Sequence, residues 1–564
     1  MDKIGQQFNY RLNIYALLVG VVSALGAIAF RAMIGFVQNI LFRQEISFNL
    51  IDHLEQTKEV WFIFLPVIGF VLSHALIEKF ASEARGHGVP EVIAAVQHKS
   101  GVIRKPVALV KTLASSLTIG AGGGLGREGP IVQIGAAIGS FLGQSLGLKQ
   151  ENLKILVACG ASAGIAATFN TPIAGVIFAI ELILLEWRAK SFIPLVVSTV
   201  FATLISRYYL GDQPAFSVRE FSLRTNSEII FYLFLGIITG LGAYIFVNGI
   251  DWVENKIQQL VKNAWLRAVV GGVLVGAMAY FFPQLYGGGY EAANAILQQK
   301  LAIYLLLPLF LLKILSVGLT LGSGGSGGVF APSLFMGALV GGIYGVFVHA
   351  LFPHSTMPYG AYALVGMGSF FAAASRGTFF SIVILFEMTR NYSIILPVMF
   401  ACVVADQVSM VLLGKFSLYA RHLQQKKLPF AMDFKVDPFE MTSVAKIMVT
   451  QIDYIKSGTL VINAWQKARQ SKHSVYPVLG KDGLLLGVIS YFDLEMLQKK
   501  HGQKKVDEVM KLKSCIAFDD ETARTVIEKL DQSRDPRVFI VERGSNKLLG
   551  VVTPTDLIRY NDKA

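Results

Sequence analysis

Glu128 stands in Gly126-Arg127-Glu128-Gly129-Pro130, within a long apolar part of a 564-residue chain. A proline in the first turn of a helix sacrifices no hydrogen bond, so Pro130 marks a helix start. The first N–H groups of a helix lack intrahelical acceptors and place about half a positive charge beyond the end. Such an end holds an anion without burying a full cation, and Gly126 and Gly129 let the anion approach the backbone closely. Gly328-Val329-Phe330-Ala331-Pro332 repeats the design. Two such ends, if they converge, make one anion site. Glu128 is itself an anion when ionised, able to occupy that site in place of a substrate. Protonation would neutralise it and let it withdraw, so one side chain could gate the path and link it to protons. The simpler alternative is a first-turn acid that complements the helix dipole.

The elements that must position these residues are duplicated. Pro130, Gly135 and Gly139 recur as Pro332, Gly337 and Gly341, 202 residues on. The segment from Asn170 to Glu181 recurs from Arg376 to Glu387, offset by 206. Apolar runs near the roughly 20 residues needed to cross a bilayer as helix cover 13–31, 60–78, 190–206, 228–250, 301–318, 333–352 and 393–414. Glycine-rich breaks at 120–129 and 322–328 interrupt others. Matching interruptions in duplicated halves point to a midplane substrate site in a transporter, because non-helical backbone at that depth needs a protein or watery lining.

Composition agrees. The chain is 53% hydrophobic and 16% charged. Asp, Glu, Lys and Arg number 42 in the 144 residues 421–564 and 47 in the 420 before them, which separates a lipid-solvated part from a water-solvated one. The net charge of +13 is spread over both parts without a dense basic block, so no nucleic-acid partner is expected. The first apolar run, with Ala27-Ile28-Ala29, has the look of a secretory signal, but the many later spans favour a membrane helix. Lys426 and Lys427, just after the last run, put the tail in the cytoplasm. The three cysteines make no metal or disulfide pattern.

The tail also repeats. Met448 precedes Asp493 by 45 residues and Met510 precedes Asp556 by 46. Each copy ends as a β-branched strand, a turn at Ser490 or Thr553, and a helix beginning near the acid, the signature of a paired α/β unit.

With Gly86-His87-Gly88-Val89-Pro90-Glu91 ahead of the two motifs above, and Tyr419 in Lys415-Phe416-Ser417-Leu418-Tyr419, the chain resembles the CLC chloride channels and proton–chloride exchangers with a tandem CBS pair. The resemblance implies an α-helical membrane domain of two inverted repeats over 1–420, a linker over 421–440, and CBS domains over 441–500 and 501–564. It implies a homodimer with one path per subunit, in the inner or plasma membrane, carrying chloride or a related anion and, in exchangers, protons. Glu128 falls on the family's gating glutamate. The amides of Arg127, Glu128 and Gly129, with Gly126, fall on the external anion site. Val329, Phe330 and the Tyr419 hydroxyl fall on the central one, with His87 and Gly88 beside it. Lys111 matches a buried lysine near the gate, and Glu181 a structural acid with Glu387 as its mate.

Two positions depart from the family pattern. His87 replaces the serine usual in chloride-selective members; it either donates to the anion or turns away while the Gly88 amide binds. Leu182 replaces the internal proton-passing glutamate of well-known exchangers, which leaves exchange and passive conduction both open. A CBS-bearing magnesium transporter would line its path with acids, which are scarce here. Gly322 to Gly327 fits a dinucleotide motif without its strand or later acid. No metal-ligand spacing and no nucleophile–base arrangement is evident, so an enzyme is not expected. The transport reading requires no cofactor. Ser490 with Asp493 and Thr553 with Asp556 match CBS positions that elsewhere hold adenine nucleotides, and are equally ordinary helix caps.

Overall fold

The computed structural model describes residues 10–50, 59–212, 216, 221, 223–414, 416–426, 428, 439, 442–471, 473–512, 514–533 and 536–561. Lys415, Lys427 and most of the 421–440 linker lie outside them. The chain forms two compact units, 1–434 and 435–564.

The first unit is helical. Its first half runs α1 (Tyr10–Gln38), α2 (Leu65–Phe80), α3 (Val89–His98), α4 (Pro106–Gly120), α5 (Glu128–Ser145), α6 (Gln150–Phe169), α7 (Pro172–Phe178) and α8 (Ala189–Leu210). The second half repeats the series: α9 (Ile229–Leu260), α10 (Ala264–Phe281), α11 (Tyr290–Leu297), α12 (Leu306–Gly322), α13 (Phe330–Leu351), α14 (Tyr359–Ser375), α15 (Thr378–Thr389) and α16 (Ile395–Leu413). A short α17 (Leu418–Gln425) follows. Among the described residues, nine helical segments are long and apolar enough to cross a bilayer. Pro106–Gly120, Pro172–Leu184 and Thr378–Thr389 are apolar but shorter. Short elements of this kind end at membrane depth, where their terminal amides need partners inside the protein.

Packing repeats between the halves as well. α5 lies on α6 where Gly135 meets Gly160, and α13 lies on α14 where Gly337 meets Gly366; a methyl group on any of the four would overlap the facing carbonyl oxygen. Small residues at such crossings let backbones touch, which is how helices associate without a hydrophobic drive.

The halves are then tied by exchanged caps. The Glu181 carboxylate, on the π-helical turn Ala179–Leu184 after α7, accepts from the amides of Phe379 (3.0 Å) and Phe380 (2.6 Å) at the start of α15. Glu387 on α15 accepts from Ile173 (3.2 Å) and Ala174 (2.7 Å) at the start of α7. Each half closes the other's broken helix with a carboxylate that also complements the dipole.

The second unit holds two three-stranded sheets. In the first, β1 (Ile455–Lys456) pairs parallel with β2 (Val475–Leu479), which pairs antiparallel with β3 (Leu485–Ser490). In the second, β4 (Ile516–Phe518), β5 (Val538–Val541) and β6 (Leu548–Val552) repeat the order. α18 (Val461–Ser471) and α19 (Tyr491–His501) accompany the first sheet, and α20 (Ala523–Ser533) and α21 (Pro554–Asn561) the second. Tyr476, Val478 and Ile489 bury one core with Val461 and Leu494; Val538, Ile540 and Val552 bury the other with Val526 and Leu557.

Replacing Glu181 by alanine strips two amides of their acceptor, a loss on the order of 1–3 kcal/mol. Glu181→Ala is expected to lower the melting temperature in detergent, and Glu181→Gln, which keeps an acceptor oxygen, to recover part of it. Equal melting of all three proteins would remove the cap from the account of the fold.

Candidate functional site

The glycine-rich breaks leave backbone that must find partners at depth, and they find each other. Gly126 donates to the Gly328 carbonyl at 2.7 Å, and Gly328 donates to the Gly126 carbonyl at 2.6 Å. Flanking bonds repeat in both halves: the Gly124 amide donates to the Thr320 hydroxyl and the Ser326 amide to the Thr118 hydroxyl, each at 3.2 Å. All these partners stand 202 residues apart as equivalents, so the pseudo-two-fold axis relating the halves passes between Gly126 and Gly328. The starts of α5 and α13 are thereby held face to face. The loop before α3 joins them, with the Gly86 amide donating to Gly325 (3.4 Å) and the Gly327 amide to Gly86 (3.2 Å).

Lys111, fully buried on α4, donates to the carbonyls of Ala84 (3.0 Å) and Gly86 (2.8 Å) and so fixes that loop. It does not reach Glu128. Its counterpart Lys313, on α12, donates to Leu285 (3.0 Å) and Gly287 (2.6 Å) in the loop before α11. Both lysines act as internal donors to carbonyls that a broken helix leaves open.

Glu128 opens α5 and is 1% exposed. Its carboxylate crosses to the other half. Oε1 accepts from the Tyr290 hydroxyl, and Oε2 from the Ala331 amide in the first turn of α13 at 3.4 Å. Arg127 lies 4.0 Å from Oε1 and its guanidinium sits 5.3 Å from the centre of the Tyr290 ring. The carboxylate therefore rests where the α13 dipole favours an anion. The Phe330 ring closes the region against Phe371, Phe169 and Phe380, at centroid distances of 4.6, 5.4 and 5.9 Å. First-turn amides of α5 and α13, those of Glu128, Gly129 and Phe330 among them, have no intrahelical acceptor by helix geometry, and Val329 caps α13.

The other expected residues divide into three groups. Gly129 and Gly88 belong to the junction: a methyl group on Gly129 would overlap the His87 carbonyl oxygen, and one on Gly88 would lie 2.5 Å from the Gly129 oxygen. Gly88 also has φ +89°, which side chains rarely adopt. Gly126 departs from expectation, because its N–H is spent on Gly328 and is not offered to an anion in this conformation. His87 is buried, its Nδ1 has no hydrogen-bond partner, and its ring lies 5.3 Å from that of His422. Tyr419 is buried in the first turn of α17, which packs on α3 and α14. Leu182, also buried, lies beside Gly377.

The sequence reading missed Tyr290 and Lys313. The offset of 202 that links Pro130 to Pro332 also links Lys111 to Lys313. With an offset of 201, Gly86-His87-Gly88-Val89 maps onto Gly287-Gly288-Gly289-Tyr290. Extending the repeat through the first signature would have found both.

In the second unit the Ser490 hydroxyl accepts from the Asp493 amide (3.0 Å), and Lys511 meets the Asp493 carboxylate at 3.0 Å. Burial disfavours the charged carboxylate, but the bonds to Ser490 and Lys511 outweigh it and hold Asp493 below the ordinary range. The Thr553 amide and hydroxyl both donate to Asp556, at 2.9 and 2.6 Å. Both pairs cap helices. Among the described residues no cluster of His, Cys, Asp and Glu could hold a metal ion.

Two duplicated helical halves, clasped so that broken helix ends face one another around a buried carboxylate, define a multi-pass membrane protein built to accommodate an anion at a repeat interface. Residues 68–410 match the family described as voltage gated chloride channel, and residues 444–497 and 506–563 match the CBS domain. The chain belongs to the voltage gated chloride channel family and carries a tandem CBS pair. It is 32% identical over 412 residues to the H(+)/Cl(-) exchange transporter ClcA of Yersinia pseudotuberculosis, covering 71% of this chain and 85% of that one. It is similar to a slow cyanobacterial Cl-/H+ antiporter, with a TM-score of 0.67, 27% identity, and coverage of 74% and 98% of the two chains. A eukaryotic CLC transporter shares the fold over 97% of this chain and 98% of its own, with a TM-score of 0.62 and 21% identity.

Because Gly129 touches the loop of His87, Gly129→Ala is expected to push the α5 start off that loop. Overpacking of about 1–3 kcal/mol should weaken chloride binding roughly fivefold to 150-fold in titration calorimetry. Wild-type affinity in Gly129→Ala would dissociate this junction from the anion site.

Proposed function

We propose that the protein moves chloride across the membrane in exchange for protons, with Glu128 as gate and proton acceptor. The observation that carries this reading is the Glu128 carboxylate, bound by the Tyr290 hydroxyl and by an amide of α13. An anionic side chain seated on a helix N-terminus stands in the place of a mobile anion. When it takes a proton its charge disappears, its attraction to the α13 dipole falls, and chloride can replace it on the freed amides. When chloride leaves and the proton is given up, the carboxylate returns. The similarity to named proton–chloride exchangers favours this cycle over a passive pore.

Within this reading the first-turn amides of Glu128, Gly129 and Phe330, the Val329 cap and the Tyr419 hydroxyl line the anion path. Arg127 and Tyr290 set the resting position of the gate, and Lys111 and Glu181 brace the helix starts. The protein works as a homodimer with its CBS pair in the cytoplasm and its helices in the inner or plasma membrane. The CBS pair is a candidate site for an adenine nucleotide: Asp493 and Asp556 suit ribose hydroxyls, and Lys511 suits a phosphate.

Paired flux in proteoliposomes tests the main proposal. Wild-type protein is expected to drive uphill proton movement from a chloride gradient, whereas Glu128→Gln keeps passing chloride and moves no protons. Proton coupling that survives in Glu128→Gln would refute the gate. For the tail, ATP or AMP at 100 times its dissociation constant should stabilise the protein by about 2.7 kcal/mol. A melting temperature that does not move across the titration would strike the nucleotide from the account.

A further inference from the structure

Exchange requires a route for protons to Glu128 from the side of the membrane opposite the gate. Leu182 cannot carry one, and it is buried beside Gly377. A different set of groups leads inward. A cleft at the ends of α9 and α12 is lined by Arg85, Glu254, Gln258, Arg267, His87 and His422. Gln258 is exposed, so the cleft reaches solvent. His422, on α17, lies three residues beyond Tyr419, on the same face of that helix. Its ring stands 5.3 Å from the ring of His87, tilted by 40°. His87 is buried, its Nδ1 unpartnered, and its backbone abuts Gly129, next to the gate.

We infer that His422 and His87 form a two-imidazole relay that carries protons from this cleft to Glu128. The inference rests on the exchange reading above and specifies its inner half. A proton from cleft water adds to one nitrogen of His422. The other nitrogen gives up its proton to His87, across the gap between the rings or through one bridging water. His87 releases a proton from its second nitrogen into the junction beside Gly129, from which water passes it on to the Glu128 carboxylate, and both rings return to neutral. One proton crosses, and only N–H and O–H bonds are made and broken.

Facing His422, Glu91 of α3 lies 3.7 Å from Nε2 and is itself bonded to Lys426. Facing His87 stand the ring of His422 and Lys111 of α4, which is bonded to the neighbouring Gly86 carbonyl. Arg85, Arg267 and Glu254 of α9 line the cleft wall. Imidazole is the only side chain whose unperturbed titration falls between pH 5 and 8, and its two ring nitrogens let a proton enter on one as another leaves from the other.

The test uses the full-length protein in liposomes, with chloride and proton fluxes recorded together for wild type, His422→Leu and His422→Gln. Wild type is expected to couple the two. In the variants chloride efflux continues and the proton-to-chloride ratio falls by about tenfold or more. Added imidazole raises proton flux through His422→Leu above that of protein-free liposomes holding the same imidazole, which a packing role would not explain. If His422→Leu fails to fold, His422→Gln, which keeps the polar contact and loses the relay, decides. Coupling in wild type with an unchanged ratio in His422→Gln overturns the relay and leaves exchange standing. Absence of coupling in the wild type overturns both.

Discussion

The pair of bonds between Gly126 and Gly328 is the constraint on which the rest of the membrane unit depends. Each is the other's equivalent, and each donates to and accepts from the other. That reciprocity is possible only on the axis relating the halves, so one contact fixes the register of the whole duplication. It also disposes of a difficulty. Irregular backbone at membrane depth carries amides that neither water nor lipid can satisfy. Here the breaks in the two halves satisfy one another. A methyl group on Gly126 would overlap the Glu128 carboxylate, and one on Gly328 would lie 2.6 Å from the Gly129 amide nitrogen.

Around that axis, the same principle recurs with side chains. Lys111 and Lys313 donate hydrogen bonds to the loose carbonyls before α3 and α11. Glu181 and Glu387 accept from the loose amides that begin α15 and α7. Charged side chains in a bilayer are costly, and these four are tolerated because each completes an interrupted helix. The symmetry ends at the centre. Where the first half has Glu128, the second has Phe330. A scaffold with two equivalent faces thus holds an acid in one half and an aromatic wall in the other.

How much of this could be read from the chain depends on the range of the interaction. The breaks, the helix starts at Pro130 and Pro332, the duplication and the tail's strand–turn–helix ends are all local, and they were legible. So was the convergence of α5 and α13, because two matching breaks in duplicated halves have few other uses. Partners across the halves were not. Nothing near Glu128 in sequence announces Tyr290, 162 positions away, and an isolated tyrosine after three glycines carries no signal until the repeat is extended to it. Gly126 illustrates the opposite error: a glycine in an anion-binding motif reads as a ligand, but its amide closes the junction. His422 lies in a short amphipathic helix with no motif of its own, and only its distance from His87 makes it visible.

The exchanged carboxylate caps have a consequence for how the chain is made. The start of α7 waits for Glu387, which lies 214 residues further along. At ordinary elongation speeds of about 5–20 residues per second, that partner emerges from the ribosome roughly 10–40 seconds later. Throughout that interval the nascent first half sits in or beside the insertion machinery with open amides at bilayer depth. Biogenesis of this protein therefore calls for a holding step, in which translocon, lipid headgroups or trapped water shelter the early helices until the late ones arrive.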